Sequence, residues 1–572
     1  MRLRILLTAT ACVAVGLAVP STASPPRIDG SVTVKYIVPT RDADIYLEVV
    51  EPTAGGKVVP APVILTYSPY SVLGRNGDAK HWTPLGYARA YADVIGTGNS
   101  GGCYDDGGNR EKRTGHDVVE WIARQSWTTG KVGMLGVSYD GTTQYATAVT
   151  HPRGLVTIVP EAAISRWYDY AYAGGIRYTD TDEDFGNEGP GAAGDEGADT
   201  PLGFDFGFAI PPPYDVQDPN WQQRVASTIE PCDELAHTGE GYNLTPDYDG
   251  FWLDRDYVKD LPSVRIPVLV AGNWGDWNVK QKNGWDAYHA LTHSVSRKLY
   301  MGTRWEGHGP PSGSAYAQTV DRWFARWLKG EHNGVEHMPA VTSQTSDDKK
   351  ALSYIAGPEP HPTSLPLYLG QDTTGAMTLR TAKPHGVSGT TTYVDSSTGT
   401  EAFAAAHPFG DGGTATYVSF MSPALKRDIR VFGRPTLRLW SAVNRTWVTV
   451  TPSLLDFDPA KYAGDGLATT ATDPAAAVAM TRGWLDSRYR DGLDHEVLMT
   501  PTVATRMDIQ LFPTDYTVRK GHRLALIVQS QDIDWAIAKP DPEGRSPFVD
   551  IWWDKGQSVL FVPVVGSSHG LF

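Results

Sequence analysis

The stretch Lys131-Val132-Gly133-Met134-Leu135-Gly136-Val137-Ser138-Tyr139-Asp140-Gly141 decides the fold. Val132 to Val137 is a short apolar run of the kind that fills a buried strand, and a helical pattern from Thr142 to Val149 follows at once. Small residues stand on both sides of Ser138. A serine on such a strand-to-helix turn lifts its hydroxyl above the sheet edge. The first N–H groups of the new helix then point at whatever the serine attacks. The spelling Gly-x-Ser-x-x-Gly is one residue longer than the usual nucleophile elbow, and Gly-x-Ser recurs at Gly98, Gly386, Gly556 and Gly566. The flanking strand and helix single out Ser138, although the same pattern also suits a plain buried strand–helix connection.

Upstream, Val32, Val34 and Tyr36 alternate, then Ile45, Leu47 and Val49, and residues 62–67 form a continuous apolar run. Tyr87 to Ile95 reads as another strand. It ends in the glycine cluster Gly96 to Gly102, which lacks the Lys-Ser/Thr and helix onset of a phosphate loop and reads as a turn. An amphipathic helix is expected over Gly115 to Ser126. Downstream, Leu155 to Pro160 and Ile266 to Gly272 read as buried strands. Then come a helix (Lys280 to His293), a strand (Lys298 to Gly302) and a helix (Ala315 to Leu328). Strands alternating with helices predict an α/β class with a mostly parallel, doubly wound sheet. Residues 165–261, rich in Gly, Pro, Asp and Tyr, read as a cap inserted over the sheet's active edge. Beyond about Lys350 short strands between turns predict a second domain over 351–572, an antiparallel β-sandwich of jelly-roll-like kind.

Residues 1–23 have the pattern of a signal peptide: Arg2 and Arg4, an apolar core from Ile5 to Val19, and small residues up to Ala23. That core has 15 residues, against the roughly 20 that span a bilayer. An exported protein is therefore expected, cleaved near Ala23, with the catalytic domain over 24–350. The formal charge of −15 becomes −17 once Arg2 and Arg4 leave, and no basic block exists. The charge thus argues against nucleic acid and anionic membrane as partners. Cys12 departs with the leader, and Cys103 and Cys232 remain, either as one disulfide or as two buried thiols.

A serine hydroxyl needs a base to take its proton, and the base needs an orienting carboxylate. In doubly wound hydrolases these follow in the order Ser, Asp, His, each after a later strand. Asp276 stands just past the first strand after the cap, and His308 just past the next. Taken alone, Asp276 could be a turn or helix cap and His308 a loop histidine; taken together with Ser138 they make a triad. The N–H of Tyr139 is one oxyanion donor, and Tyr70, after the strand at 63–67, supplies the natural second in its hydroxyl. His289 and His293 share a helical face but lack a third ligand. Asp180, Asp182 and Asp184 resemble a calcium loop whose glycine and twelfth residue are wrong. No metal and no cofactor is expected. The acidic run could instead meet a cationic group on the substrate, or be a solvated loop.

Gly-Val-Ser138-Tyr139-x-Gly, Ala163-Ile164-Ser165-Arg166-Trp167-Tyr168-Asp169-Tyr170, Asp276-Trp277-Asn278-Val279-Lys280, Gly307-His308 and Arg322-Trp323-Phe324-x-x-Trp327-Leu328 together resemble the Xaa-Pro dipeptidyl-peptidases. These are relatives of cocaine esterase and the α-amino-acid ester hydrolases on the α/β-hydrolase fold. The resemblance covers about residues 34–335. It implies a Ser138–Asp276–His308 triad, an oxyanion hole from Tyr70 and Tyr139, and a proline pocket walled by Tyr139, Trp167, Tyr170 and Val279. It further implies a cap carboxylate for the substrate's free amine, with Asp182, Glu183, Asp184 and Glu188 as candidates. The implied substrates are peptides with proline in second position. An ester or β-lactam side-chain hydrolase with the same triad is the alternative.

Overall fold

The structure, a computed structural model, describes residues 27–70, 77–178, 232, 241, 246–345, 354–383, 389–396, 404, 416–462, 476–532, 535–536, 547–553 and 557–572. Residues 1–23, expected to be a leader, and Asp182, Glu183, Asp184 and Glu188 lie outside the described residues.

The first sheet is built from β1 (Gly30–Pro39), β2 (Asp44–Ala54), β3 (Lys57–Val58), β4 (Ala61–Ser68), β5 (Ala88–Asp93), β6 (Thr128–Val137) and β7 (Leu155–Glu161). After a small hairpin, β8 (Tyr172–Ala173) and β9 (Ile176–Arg177), come β10 (Val268–Asn273), β11 (Arg297–Gly302), β12 (Val341–Gln344) and β13 (Tyr354–Gly357). The spatial order is β1-β2-β5-β4-β6-β7-β10-β11-β12-β13, with β3 beside β2. From β5 to β12 every neighbouring pair is parallel, while β1, β2 and β13 run antiparallel to their neighbours. β4 therefore has β5 on one side and β6 on the other. The point where the strand order reverses lies between the carboxyl ends of β4 and β6, where open α/β sheets bind ligands.

The central strands read as continuous apolar runs because both of their faces are covered. Alternation assigns each residue to a face. Val63, Leu65, Met134, Ile158, Val268 and Val270 pack with helices α2 (Asn109–Ala123), α3 (Tyr139–Ala148) and α6 (Gln281–Ala290). Ile64, Leu135, Val159, Leu269 and Ala271 pack instead with α1 (Ala79–Trp82) and α7 (Ser314–Lys329). The segment between β7 and β10 contributes the short helices α4 (Trp167–Ala171) and α5 (Gly250–Asp254).

Two expectations need adjusting. Helix α2 begins at Asn109, six residues before Gly115, because its polar first turns hide the helical period. The change of sheet falls between Gly357 and Thr363 rather than at Lys350, since Tyr354–Gly357 still pairs with β12. Beyond it, a strand-rich second domain of mostly antiparallel pairs, hydrogen-bonded among the described residues as one 14-stranded network, encloses its own core around Leu367, Leu439, Val450, Leu526 and Val562. Cys103 and Cys232 are joined by a disulfide, with Cα atoms 5.7 Å apart. It ties the loop after β5 to the segment between β9 and β10.

Candidate active site

Ser138 caps α3 at the carboxyl end of β6, with φ 64° and ψ −127°. That backbone conformation is costly for a residue with a side chain and persists where the surrounding structure fixes it. Three contacts do so here. The Ser138 N–H donates to the Glu161 carbonyl at 2.9 Å, and the Ser138 carbonyl accepts from the Gly141 and Thr142 N–H groups at 3.0 and 2.9 Å. The two glycines of the motif are also places without room. A Cβ on Gly136 would lie 2.5 Å from the Asp140 Cβ, and one on Gly141 would lie 2.7 Å from the Ala163 Cβ. The longer spelling of the elbow thus reflects where β7 presses on α3: the tight position is Gly141, not Asp140.

The Ser138 side is half-buried. The Tyr70 hydroxyl, just beyond β4, donates to Ser138 Oγ at 3.1 Å and accepts the Tyr139 N–H at 3.4 Å. A hydroxyl and a backbone N–H therefore converge beside the serine oxygen, which is the geometry an oxyanion needs.

Asp276 and His308 follow β10 and β11, two parallel neighbours whose ends are level because Asn273 pairs with Gly302. His308 Nδ1 lies 3.0 Å from Asp276 Oδ2. The other carboxylate oxygen, Oδ1, accepts the Val279 N–H at 3.0 Å. Asp276 is buried and thus held on both oxygens. This contact favours the Nδ1–H tautomer of the imidazole, the form in which Nε2 can accept a proton.

The aromatic residues cluster next to this group. The Tyr139 and Trp167 rings meet edge to face at 5.0 Å, and Trp167 and Tyr170 at 5.9 Å. Val279 is buried in the same core, and its neighbour Lys280 donates from Nζ to the Tyr170 carbonyl at 2.6 Å.

Sequence reasoning missed what lies behind this wall. Tyr139 donates its hydroxyl to Glu111 Oε2 at 2.8 Å, and the same oxygen accepts the Gly107 N–H at 3.0 Å. The Gly107 carbonyl accepts from the Tyr257 hydroxyl at 2.6 Å, which in turn accepts the Trp167 Nε1–H at 3.0 Å. Glu111, Gly107, Tyr257, Trp167 and Tyr139 therefore close a ring of contacts. Gly107 must be glycine, since a Cβ there would sit 2.2 Å from Trp167 Nε1. Glu111 sits among Asn109-Arg110-Glu111-Lys112-Arg113, a run that reads as solvated surface. No local signal marked it.

Burial pushes the Glu111 carboxyl up to about 8, with the Tyr139 hydroxyl and Gly107 N–H pulling the other way. Burial likewise raises Asp140 and Glu161 to about 7. Between the unfolded value of 4.5 and about 8, folded Glu111 holds a proton that the unfolded chain has released. Stability must then fall as pH rises through that window, by about 1.4 kcal/mol per pH unit for this group. Thermal melts of the wild type are expected to drop from pH 5 to pH 8, and Glu111→Gln to flatten the slope. An equal slope in the variant would rule this origin out.

His289, considered above for a metal, pairs with Glu359 at 2.9 Å, and His293 Nδ1 lies 2.6 Å from the Pro262 carbonyl.

A family model described as X-Pro dipeptidyl-peptidase (S15 family) matches residues 43–306. A second, described as the X-Pro dipeptidyl-peptidase C-terminal non-catalytic domain, matches residues 333–547. A relative from Streptomyces avermitilis described as "Putative Xaa-Pro dipeptidyl-peptidase" is 30% identical over 577 residues, covering 89% of this chain and 78% of that protein. One so described from Bacillus anthracis is 28% identical over 537 residues, covering 88% and 81%. Among solved structures, a CocE/NonD family hydrolase from Staphylococcus aureus superposes with a TM-score of 0.71 at 18% identity, covering 94% of each chain. An α-amino acid ester hydrolase does so at 0.65 and 18%, covering 97% of this chain and 100% of that one. At such identities these two likenesses speak to the fold alone. The two family models, matched in tandem, and the Streptomyces relative, matched over most of its length, place this chain in the X-Pro dipeptidyl-peptidase (S15) family of serine hydrolases.

Proposed function

We propose that this serine hydrolase is exported and releases Xaa-Pro dipeptides from peptide N-termini through an acyl-enzyme. The observation that carries the reading is the placement of Tyr139. Its N–H belongs to the donor pair beside Ser138 Oγ, and its ring forms a wall with Trp167. The carbonyl of a proline is bonded directly to the ring carbon, so one residue can meet both the attacked group and the flat pyrrolidine. An aromatic slot suits that ring.

In the proposed reaction His308 Nε2 takes the Ser138 proton while Oγ bonds to the proline carbonyl carbon. The negative oxygen accepts from the Tyr70 hydroxyl and the Tyr139 N–H. Collapse breaks the C–N bond, and His308 gives its proton to the leaving amine. Water, deprotonated by His308, then hydrolyses the ester and restores the serine. Asp276 keeps the imidazole in one tautomer throughout. The acidic run Asp182, Glu183, Asp184 and Glu188 is assigned to the substrate's free amine. Export is supported by the leader-like residues 1–23 and by the Cys103–Cys232 bond, which persists in oxidising compartments.

The test is hydrolysis of Gly-Pro and Ala-Pro chromogenic amides, with and without an N-acetyl block. Turnover of the free amides, lost on acetylation, is the expected result. Good turnover of simple acyl esters with none of the amides would assign the site to ester hydrolysis. Tyr70→Phe removes one of the two donors while keeping the ring. A fall of roughly 10²- to 10³-fold in kcat with KM little changed is expected from steady-state kinetics.

A further inference from the structure

Asp276 and His308 lie on loops that reach out of the first domain, and side chains of the second domain meet both. Trp277, directly after Asp276, stacks on Phe512 with centroids 5.8 Å and planes 15° apart. It packs against Trp535 at 5.6 Å and carries the Arg482 guanidinium over its face at 4.1 Å. Arg304, four residues before His308, donates from Nη2 to the Ala479 carbonyl at 2.7 Å and lies 5.2 Å from the Tyr516 ring centre. The two loops also press on each other. A Cβ on Gly275 would lie 2.2 Å from the Arg304 carbonyl oxygen. The two loops are therefore packed closely together.

Ser138 needs no such support, because β6, β7 and α3 hold it from within the first domain. Loops beyond strand ends are mobile unless something packs on them. A triad needs its members placed to about 0.5 Å. From these contacts we propose that the second domain works in catalysis as a brace. Through Trp277 and Arg304, both positioning residues, it holds Asp276 and His308 in register with a serine that the first domain alone has fixed. The proposal rests on the reading of Ser138, Asp276 and His308 as a triad. It gives the domain matched as non-catalytic a part in setting the reaction rate.

The test places every substitution in the second domain. Arg482→Ala and Phe512→Ala each remove one of the Trp277 contacts, and Arg482→Lys keeps a cation over the indole. Thermal melts identify the folded fraction of each. On folded protein, the rate of Ser138 labelling by a fluorophosphonate and kcat on an Ala-Pro chromogenic amide should both fall by roughly 10- to 100-fold. KM should stay within about three-fold, because substrate still meets an intact pocket. Arg482→Lys should recover most of the loss. Labelling and kcat within about two-fold of wild type in both alanine variants would overturn the proposal. So would a loss that only tracks the unfolded fraction. His308→Ala is measured in parallel: labelling as fast as wild type would remove the triad reading itself, a result visible without any second-domain variant.

Discussion

Ser138→Ala is expected to lower kcat on an Ala-Pro chromogenic amide by roughly a million-fold, the largest single effect at this site. The methyl group removes the atom that forms the acyl bond, and the remaining donors and pocket can do no more than hold the substrate. Because the Ser138 backbone is fixed by Glu161, Gly141 and Thr142 rather than by its hydroxyl, the elbow should keep its shape. The variant should therefore fold as the wild type does and still bind substrate, giving an unchanged melting temperature and no fluorophosphonate adduct. Retained turnover by carefully purified Ser138→Ala would place the nucleophile elsewhere.

Asp276→Asn should cost about 10⁴-fold in kcat while leaving the fold intact. The direction of the effect follows from the two oxygens. Val279 N–H needs an acceptor at the Oδ1 position, so the new amide will turn its oxygen there and its NH2 toward His308 Nδ1. An imidazole facing a donor at Nδ1 carries its proton on Nε2 and cannot take another from Ser138. Kinetics at fixed pH, with melting curves to exclude unfolding, read this directly. A loss below about ten-fold would mean that Asp276 does not set the tautomer.

These effects depend on groups whose order along the chain is legible in the sequence. Strand and helix periods are local, and so the runs around 63–67, 132–137, 155–160 and 266–272 marked β4, β6, β7 and β10 to within a few residues. Reactive residues directly after such runs can only stand at the carboxyl edge of a parallel sheet. That is why Ser138, Asp276 and His308 could be named, and why Tyr70 could be paired with Tyr139. The same reasoning failed wherever burial contradicts residue type. The turn Asn109 to Arg113 is polar in sequence, yet it opens α2 and carries Glu111, which is fully buried. Nothing local distinguishes a carboxyl that will meet Tyr139 from one that will meet water.

By itself, the sequence determined the mostly parallel first sheet, the strand-rich tail, and the chain order in which Ser138, Asp276 and His308 follow their strands, because each is written in a period or a spacing of a few residues. The tertiary structure alone decided three things. The level register of β10 and β11 brings His308 to Asp276. The disulfide closes across 129 residues. The second domain places Phe512, Arg482 and Ala479, each more than 170 residues beyond His308 in the chain, against the loops that carry Asp276 and His308. The physical reason is common to all three. Contacts between distant segments depend on how whole layers pack, and the hydrophobic burial that drives this packing has no direction along the sequence.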